Sequence, residues 1–257
     1  MCWKKRQETE IKSKSVYLGF GINDYLGSAN DLSGCVNDIN DEVKKLNNEF
    51  PEFQCLKYFD SKVTTQFFIS EIQRVFKSGS EGFLYLKYSG HGTQIPSASE
   101  PNGYNEALYL YNGPLIDDVI YKLQQETPEG WKVLAKFDSC FSGDMGSKNI
   151  KTNRRIKNRF YPMPGIRLLD RPVNRFSKTD PGQRWIIISS CGEEQTSADA
   201  WFDGRANGAF SYFDFKSYFR GTIYNDEVNK AKNLLHLYGF GQVPEPSGPY
   251  DGDEVLT

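Results

Sequence analysis

The chain has 257 residues, of which 38% are hydrophobic, 14% aromatic and 25% charged, and its formal net charge is −2. That is enough apolar material for a real core, and an α/β chain of this length commonly folds as one domain. No stretch approaches the roughly 18 consecutive apolar residues of a membrane span, and five cysteines without paired short spacings fit neither a disulfide framework nor a zinc site.

Residues 1–14 begin with charge, never develop the apolar segment of a secretory signal, and read as an N-terminal tail of a cytoplasmic protein. Periodicity then alternates strand and helix: strand 15–22, helix 35–50, strand 53–59, helix 65–78 and strand 82–89. In the second helix Phe67, Phe68, Ile72, Val75 and Phe76 recur at three- and four-residue steps and give one face to lay on a sheet. A short apolar element at 107–111 is followed by helix 116–125, strands 131–137 and 184–190, and helical stretches within 208–219 and 226–237. Counting 107–111, this predicts a mostly parallel six-stranded sheet flanked by helices. Between 144 and 183 the pattern fails, and the segment from Lys148 to Arg184 is rich in Lys and Arg, so a basic loop or insertion is expected there. One domain over 15–250 is expected, with an irregular stretch at 244–249 closing it and 251–257 as a C-terminal tail.

Two motifs follow strand-like runs directly. Tyr88-Ser89-Gly90-His91-Gly92 comes after 82–88, and Asp138-Ser139-Cys140-Phe141-Ser142-Gly143 comes after 133–137. Reactive side chains at the carboxyl ends of two strands of an open α/β sheet meet in one crevice. His91 and His236 are the chain's two histidines, and His236 reads as a side chain on an amphipathic helix. Alone, Cys140 reads as a small buried hydrophobe and His91 as a hydrogen-bonded core histidine. Together, in these flanks, they read as nucleophile and base. Cys55 reads as a core residue, and Cys35 and Cys191 as structural.

In spacing and flanks the chain resembles the caspase-like cysteine peptidases, most closely metacaspases and orthocaspases. His91 precedes Cys140 by about 50 residues, as in caspases, while Asp138-Ser139-Cys140 departs from the Gln-Ala-Cys of true caspases toward the metacaspase pattern. Further matching blocks are Gly21-Ile-Asn-Asp, Leu32 to Asp38, Glu106-Ala-Leu, Ile116-Asp-Asp, Cys191 to Asp199 and Gly208 to Ser211. The resemblance implies a caspase-like fold and a cysteine endopeptidase, acting as a monomer on protein or peptide substrates. It implies catalysis by His91 and Cys140, with an oxyanion hole from the backbone N–H groups of Gly92 and Cys140.

It also implies an acidic pocket of Asp38 and Asp138 lined by Ser89, giving cleavage after Arg or Lys. The plainer readings are a solvated helix residue for Asp38 and a strand-end cap for Asp138. Calcium as an activator is implied at Asp117 and Asp118, with Asn112 and either Asp144 or Ser147 at further positions. An Asp pair in the first turn of a helix explains the same residues. A basic loop in a protease of this preference is expected to be its own substrate, with self-cleavage within Lys148 to Arg184. The rival reading is a binding module that uses this segment on nucleic acid or protein; sparse aromatic interleaving, Phe160, Tyr161 and Phe176, speaks against nucleic acid.

Overall fold

A computed structural model describes residues 9–98, 103–140, 156–163, 183–192, 195–249 and 256. The first half alternates strand and helix: β1 (Ser15–Gly21), α1 (Cys35–Glu49), β2 (Phe53–Phe59), α2 (Thr65–Phe76) and β3 (Glu81–Ser89). A three-stranded antiparallel sheet follows, β4 (His91–Pro96), β5 (Tyr104–Leu110) and β6 (Gly113–Ile116). Next come α3 (Asp117–Gln125), β7 (Gly130–Asp138), β8 (Lys157–Asn158) and β9 (Ile186–Ser189). The described chain ends with β10 (Ala198–Phe202), β11 (Arg205–Gly208), α4 (Ala209–Asp214), α5 (Tyr224–Leu237) and β12 (Glu245–Ser247).

The main sheet has the order β2-β1-β3-β7-β9-β12, with β12 antiparallel and the other five strands parallel. Its inner strands β1, β3 and β7 are buried on both faces, as parallel strands under helices must be. Because side chains alternate across a strand, Val16, Leu18 and Phe20 share one apolar cluster with Phe68 and Ile72 of α2 and Ile120 of α3. Tyr17, Tyr85 and Leu134 point the other way, into a cluster with Ile39 of α1, Phe210 of α4 and Val228 of α5. Thr64 caps α2 by accepting the N–H of Phe67.

The face toward α1, α4 and α5 also encloses charge. Lys87 on β3 pairs with Glu42 and Asp214, and Lys136 on β7 pairs with Asp214 and Glu227, all of them buried. Tyr85 donates to Glu42 at 3.0 Å, and Tyr218 donates to the same carboxylate.

Two expectations are corrected. The sixth strand of the main sheet is β12, so the stretch at 244–249 is an edge strand in part, paired to β9 by Pro246 opposite Ile188. The 107–111 element belongs instead to β5 of the small sheet, where Ala107 stands between Thr93 and Ile116. Where described, the expected tails are attached: Gln54 receives the N–H groups of Lys12 and Ser13, and Leu256 is buried in the second cluster.

The strand ends set up the site. Ser89 and Asp138 are register partners on adjacent parallel strands, so the chain leaves β3 toward His91 and β7 toward Cys140 at the same level. The N–H of Gly90 bonds the carbonyl of Asp138 at 3.2 Å and keeps the two exits together.

Candidate active site

His91 is the first residue of β4 and its backbone is tied on both sides. Its N–H donates to the Tyr25 hydroxyl at 2.7 Å, and its carbonyl accepts from the Tyr88 hydroxyl at 2.8 Å. The ring Nε2 lies 2.6 Å from the Asn30 carbonyl, while Nδ1 is buried with no hydrogen-bond partner. A carbonyl only accepts, so Nε2 carries the proton and Nδ1 is the free basic nitrogen. Burial lowers the His91 pKa to about 4, against the backbone carbonyls of Asn30 and Arg159, which favour the protonated ring, so the imidazole is neutral near pH 7.

Cys140 is fully buried at the end of β7. Its Sγ donates to the Ser197 carbonyl at 3.1 Å and accepts the Ser197 N–H at 2.6 Å. Burial, followed by the neighbouring Cys191 thiol, pushes the Cys140 thiol well above its ordinary range. In this state both partners are neutral: a thiol held by Ser197 and an imidazole held by Asn30.

The space between them is filled by the chain itself. Residues 156–163, from within the basic segment, run through the cleft. The Arg159 carbonyl oxygen accepts two hydrogen bonds, from the N–H of Gly92 at 2.9 Å and from the N–H of Cys140 at 3.2 Å. The two donors expected of an oxyanion hole thus converge on one oxygen. Upstream, Asn158 pairs with Ala198 and Lys157 with Asp199 of β10, and the Arg159 N–H reaches the Ser197 carbonyl at 3.0 Å. Downstream, Tyr161 donates to the Gly92 carbonyl at 2.8 Å.

The Arg159 side chain is fully buried among carboxylates. Nη2 lies 2.7 Å from Asp38 and 3.0 Å from Asp199, and Nη1 lies 3.1 Å from Asp138 and 2.7 Å from the Ser89 hydroxyl. Asp38, Asp138 and Ser89, chosen from the sequence, are therefore brought together on one guanidinium. With three carboxylates around one cation the pocket is acidic. Burial raises Asp38 to about 6, against the Arg159 charge that pulls it down.

Several residues of this pocket were not legible as site residues. Asp199 is one; it also accepts the N–H groups of Ser33 and Gly34 at the start of α1. Gly208 donates to Asp38 at 2.9 Å, and Ser211 donates to Asp138 from both its N–H and its hydroxyl. A Cβ on Gly208 would run into Asp138 and the Arg159 guanidinium. Asp199, Gly208 and Ser211 all lay in the two late matching blocks, which carried the signal without a role. Asn30 acts through its carbonyl, which no side-chain pattern reveals.

Three of the expected calcium positions are described. Asp117 and Asp118 form the first turn of α3, with Asp117 Oδ1 accepting the Asp118 N–H at 3.1 Å, and the Asn112 side chain accepts from Thr65 at 2.8 Å. Among the described residues no group of three His, Cys, Asp or Glu could hold a metal ion. Calcium takes six to eight oxygen ligands, backbone and amide carbonyls among them, and of the remaining expected positions Asp144 and Ser147 lie outside the described residues, as does most of the segment from Lys148 to Arg184.

Residues 16–147 match the family model of the metacaspase, peptidase C14 domain. The chain belongs to the metacaspase family. It is similar to metacaspase-1 of Candida glabrata, 29% identical over 170 residues that cover 50% of this chain and 43% of the relative. It is also similar to metacaspase-9 of Arabidopsis thaliana, 26% identical over 65% of this chain and 70% of the relative. The chain thus spans well under half the length of the Candida metacaspase and more of the Arabidopsis one. Among solved structures, a protein of Geobacter sulfurreducens superposes with a TM-score of 0.70 at 21% identity, over 95% of this chain and 98% of that one. Caspase-1 of Spodoptera frugiperda gives 0.60 at 12% identity over 91% and 87%. The fold of this metacaspase is caspase-like.

Proposed function

We propose that this metacaspase is a cysteine endopeptidase that cuts after Arg or Lys, and that its first substrate is its own Arg159–Phe160 bond. One observation carries the reading. Arg159 has its guanidinium among three carboxylates and its carbonyl oxygen on two backbone N–H groups beside Cys140 and His91. A residue preceding a bond to be cut would be held in the same two ways.

The chemistry follows from these positions. His91 Nδ1 takes the thiol proton as Sγ leaves Ser197 and attacks the Arg159 carbonyl carbon. The carbonyl electron pair moves to oxygen, where the N–H groups of Gly92 and Cys140 stabilise the developing charge. As the C–N bond breaks, His91 returns the proton to the Phe160 amine, leaving a thioester on Cys140. Water, deprotonated by His91, then attacks the thioester and releases the Arg159 carboxylate while the thiol is restored.

Guanidinium or ammonium between these carboxylates makes charge-assisted hydrogen bonds, whereas an aspartate would be repelled. The burial of Arg159 in an acidic pocket favours the peptidase reading of the basic segment over a nucleic-acid one. A monomer acting on protein or peptide substrates in the cytoplasm is the setting proposed; the free state of Cys35, Cys55, Cys140 and Cys191 suits a reducing compartment. Calcium has no part in these steps.

The test is hydrolysis of matched peptides with Arg, Lys or Asp before the bond, with calcium and with a chelator, alongside intact mass of the protein. Turnover of Arg and Lys peptides and a new chain end after Arg159 are expected. Preferential cleavage after Asp would overturn the pocket.

A further inference from the structure

The cleft holds a partner for the residue two positions after the bond as well as for the one before it. The Tyr161 ring is stacked on Tyr109 with centroids 3.7 Å apart and planes 8° from parallel. It also meets the edge of His91 at 5.8 Å and lies 6.1 Å from Tyr25. These three rings come from separate parts of the chain: Tyr25 from the loop after β1, His91 from the first position of β4, and Tyr109 from β5, where it stands opposite His91 in the register.

The wall is tied together independently of the segment that lies on it. The Tyr25 hydroxyl accepts the His91 N–H, the Tyr25 and His91 rings are 4.7 Å apart, and the Tyr88 hydroxyl reaches the carbonyls of both His91 and Tyr109 at 2.8 Å.

The backbone over this wall is fixed as well. Gly92 takes the Arg159 carbonyl on its N–H and the Tyr161 N–H on its carbonyl, and the Thr93 hydroxyl donates to the Tyr161 carbonyl at 2.8 Å. None of these contacts involves the Tyr161 side chain, so any peptide whose bond is held at Cys140 in this way lays its second following residue over Tyr109. Phe160, between them, pairs with Gly92 through its backbone.

We infer that this enzyme reads an aromatic side chain two residues after the cleaved bond, in a subsite whose floor is Tyr109 and whose sides are Tyr25 and His91. The inference rests on the endopeptidase reading above and narrows its substrates to Arg or Lys, then any residue, then an aromatic one. A stacked aromatic pair is favourable beyond the area it buries, enough for about three- to tenfold in kcat/KM over alanine.

The experiment uses the full chain and quenched fluorescent peptides of the sequence Ile-Lys-Asn-Arg-Phe-X, extended by a constant tail, with X as Tyr, Trp, Ala or Lys. Tyr and Trp peptides are expected to exceed Ala and Lys by about three- to tenfold in kcat/KM. In Tyr109→Ala that ratio falls to about one, and in Tyr109→Phe, which keeps the stack, it survives. A mere structural role for Tyr109 would lower all four rates together and leave the ratio intact. Equal rates for Tyr and Ala in the wild-type protein, or a ratio that survives Tyr109→Ala, overturn the subsite while the peptidase reading stands. Failure to cut any of the four peptides overturns both.

Discussion

At the scale of single residues, the proposed chemistry starts from a thiol that is not yet a thiolate. Cys140 is engaged by Ser197 and its pKa is raised by burial, while His91 is held neutral. Cys140→Ala is expected to abolish peptide turnover and to leave the chain intact at Arg159, and His91→Ala to lose at least about three orders of magnitude; intact mass and a peptide assay read both. Cleavage at Arg159 in a folded Cys140→Ala protein would remove the mechanism. In the pocket, Asp138→Asn leaves the substrate cation short of one buried partner and is expected to cost about 2–5 kcal/mol in kcat/KM. Gly208→Ala places a methyl group against Asp138 and where the guanidinium lies, and is expected to do comparable damage without removing a charge. A Gly208→Ala enzyme that handles Arg peptides like wild type would show that the guanidinium does not enter this far. His91, Cys140, Asp38, Asp138 and Ser89 were legible because each sits inside a short motif at a strand end or helix start. Asp199 was not, since its distance in sequence hides that it faces the same cation, and Arg159 was hidden among the other basic residues of its segment.

At the scale of elements, the segment 156–163 occupies the cleft of the uncut protein. It holds the cleft through the buried Arg159 side chain, the Tyr161 ring stacked on Tyr109 and a handful of hydrogen bonds to its backbone, so replacing Arg159 removes its one fully buried anchor. Breaking a buried ion pair normally costs about 3–5 kcal/mol because a charge is stranded, but here the carboxylates keep other donors, the N–H groups of Gly208 on Asp38, of Ser211 on Asp138 and of Ser33 and Gly34 on Asp199. Arg159→Ala is therefore expected to stay folded, to resist cleavage at 159, and to turn over peptide from the first seconds, where the uncut wild type shows a lag. Cys140, fully buried beneath the segment in the wild type, is expected to be alkylated by iodoacetamide faster in Arg159→Ala. Equal alkylation rates, read by mass spectrometry, would mean that the segment does not guard the thiol. The long elements followed from periodicity to within a few residues at each end, because α2 and the parallel strands carry their burial pattern in their own residues. β8, β11 and β12 were invisible for the opposite reason. Each is two to four residues long and becomes a strand only through its partner, as Glu245–Ser247 does against β9.

At the scale of the whole molecule, alternation of strand and helix sufficed to predict a parallel sheet with a crevice at its strand ends, since topology leaves few other ways to cover two apolar faces. What patterning could not foretell is the charge enclosed on one of those faces. Lys87 and Lys136 stand within otherwise apolar strands, and they lie under α1, α4 and α5 with Glu42, Asp214 and Glu227. Three carboxyl groups share two ammonium groups, so full ionisation would leave one buried negative charge unbalanced, and the group that yields is Glu227. Its Oε1 receives Lys136, its Oε2 is buried without a hydrogen-bond partner, and burial raises its pKa to about 8 against the pull of Lys136. A carboxyl whose folded pKa lies above its unfolded value near 4.5 contributes stability that is complete below 4.5. That contribution is lost as pH rises through 8, at most about 1.4 kcal/mol per pH unit within the window. Glu227→Gln mimics the protonated form and lacks this term, while contributions from Asp38 and His91 are common to both proteins and cancel in the comparison. The melting temperature of Glu227→Gln relative to wild type is therefore expected to climb as pH is raised from 5 to 8 and to level off above that. Both proteins should carry Cys140→Ala, so that self-cleavage does not intrude on the melts. Parallel melting curves across that range would mean that Glu227 is ionised throughout, and that the network carries its excess negative charge within the fold.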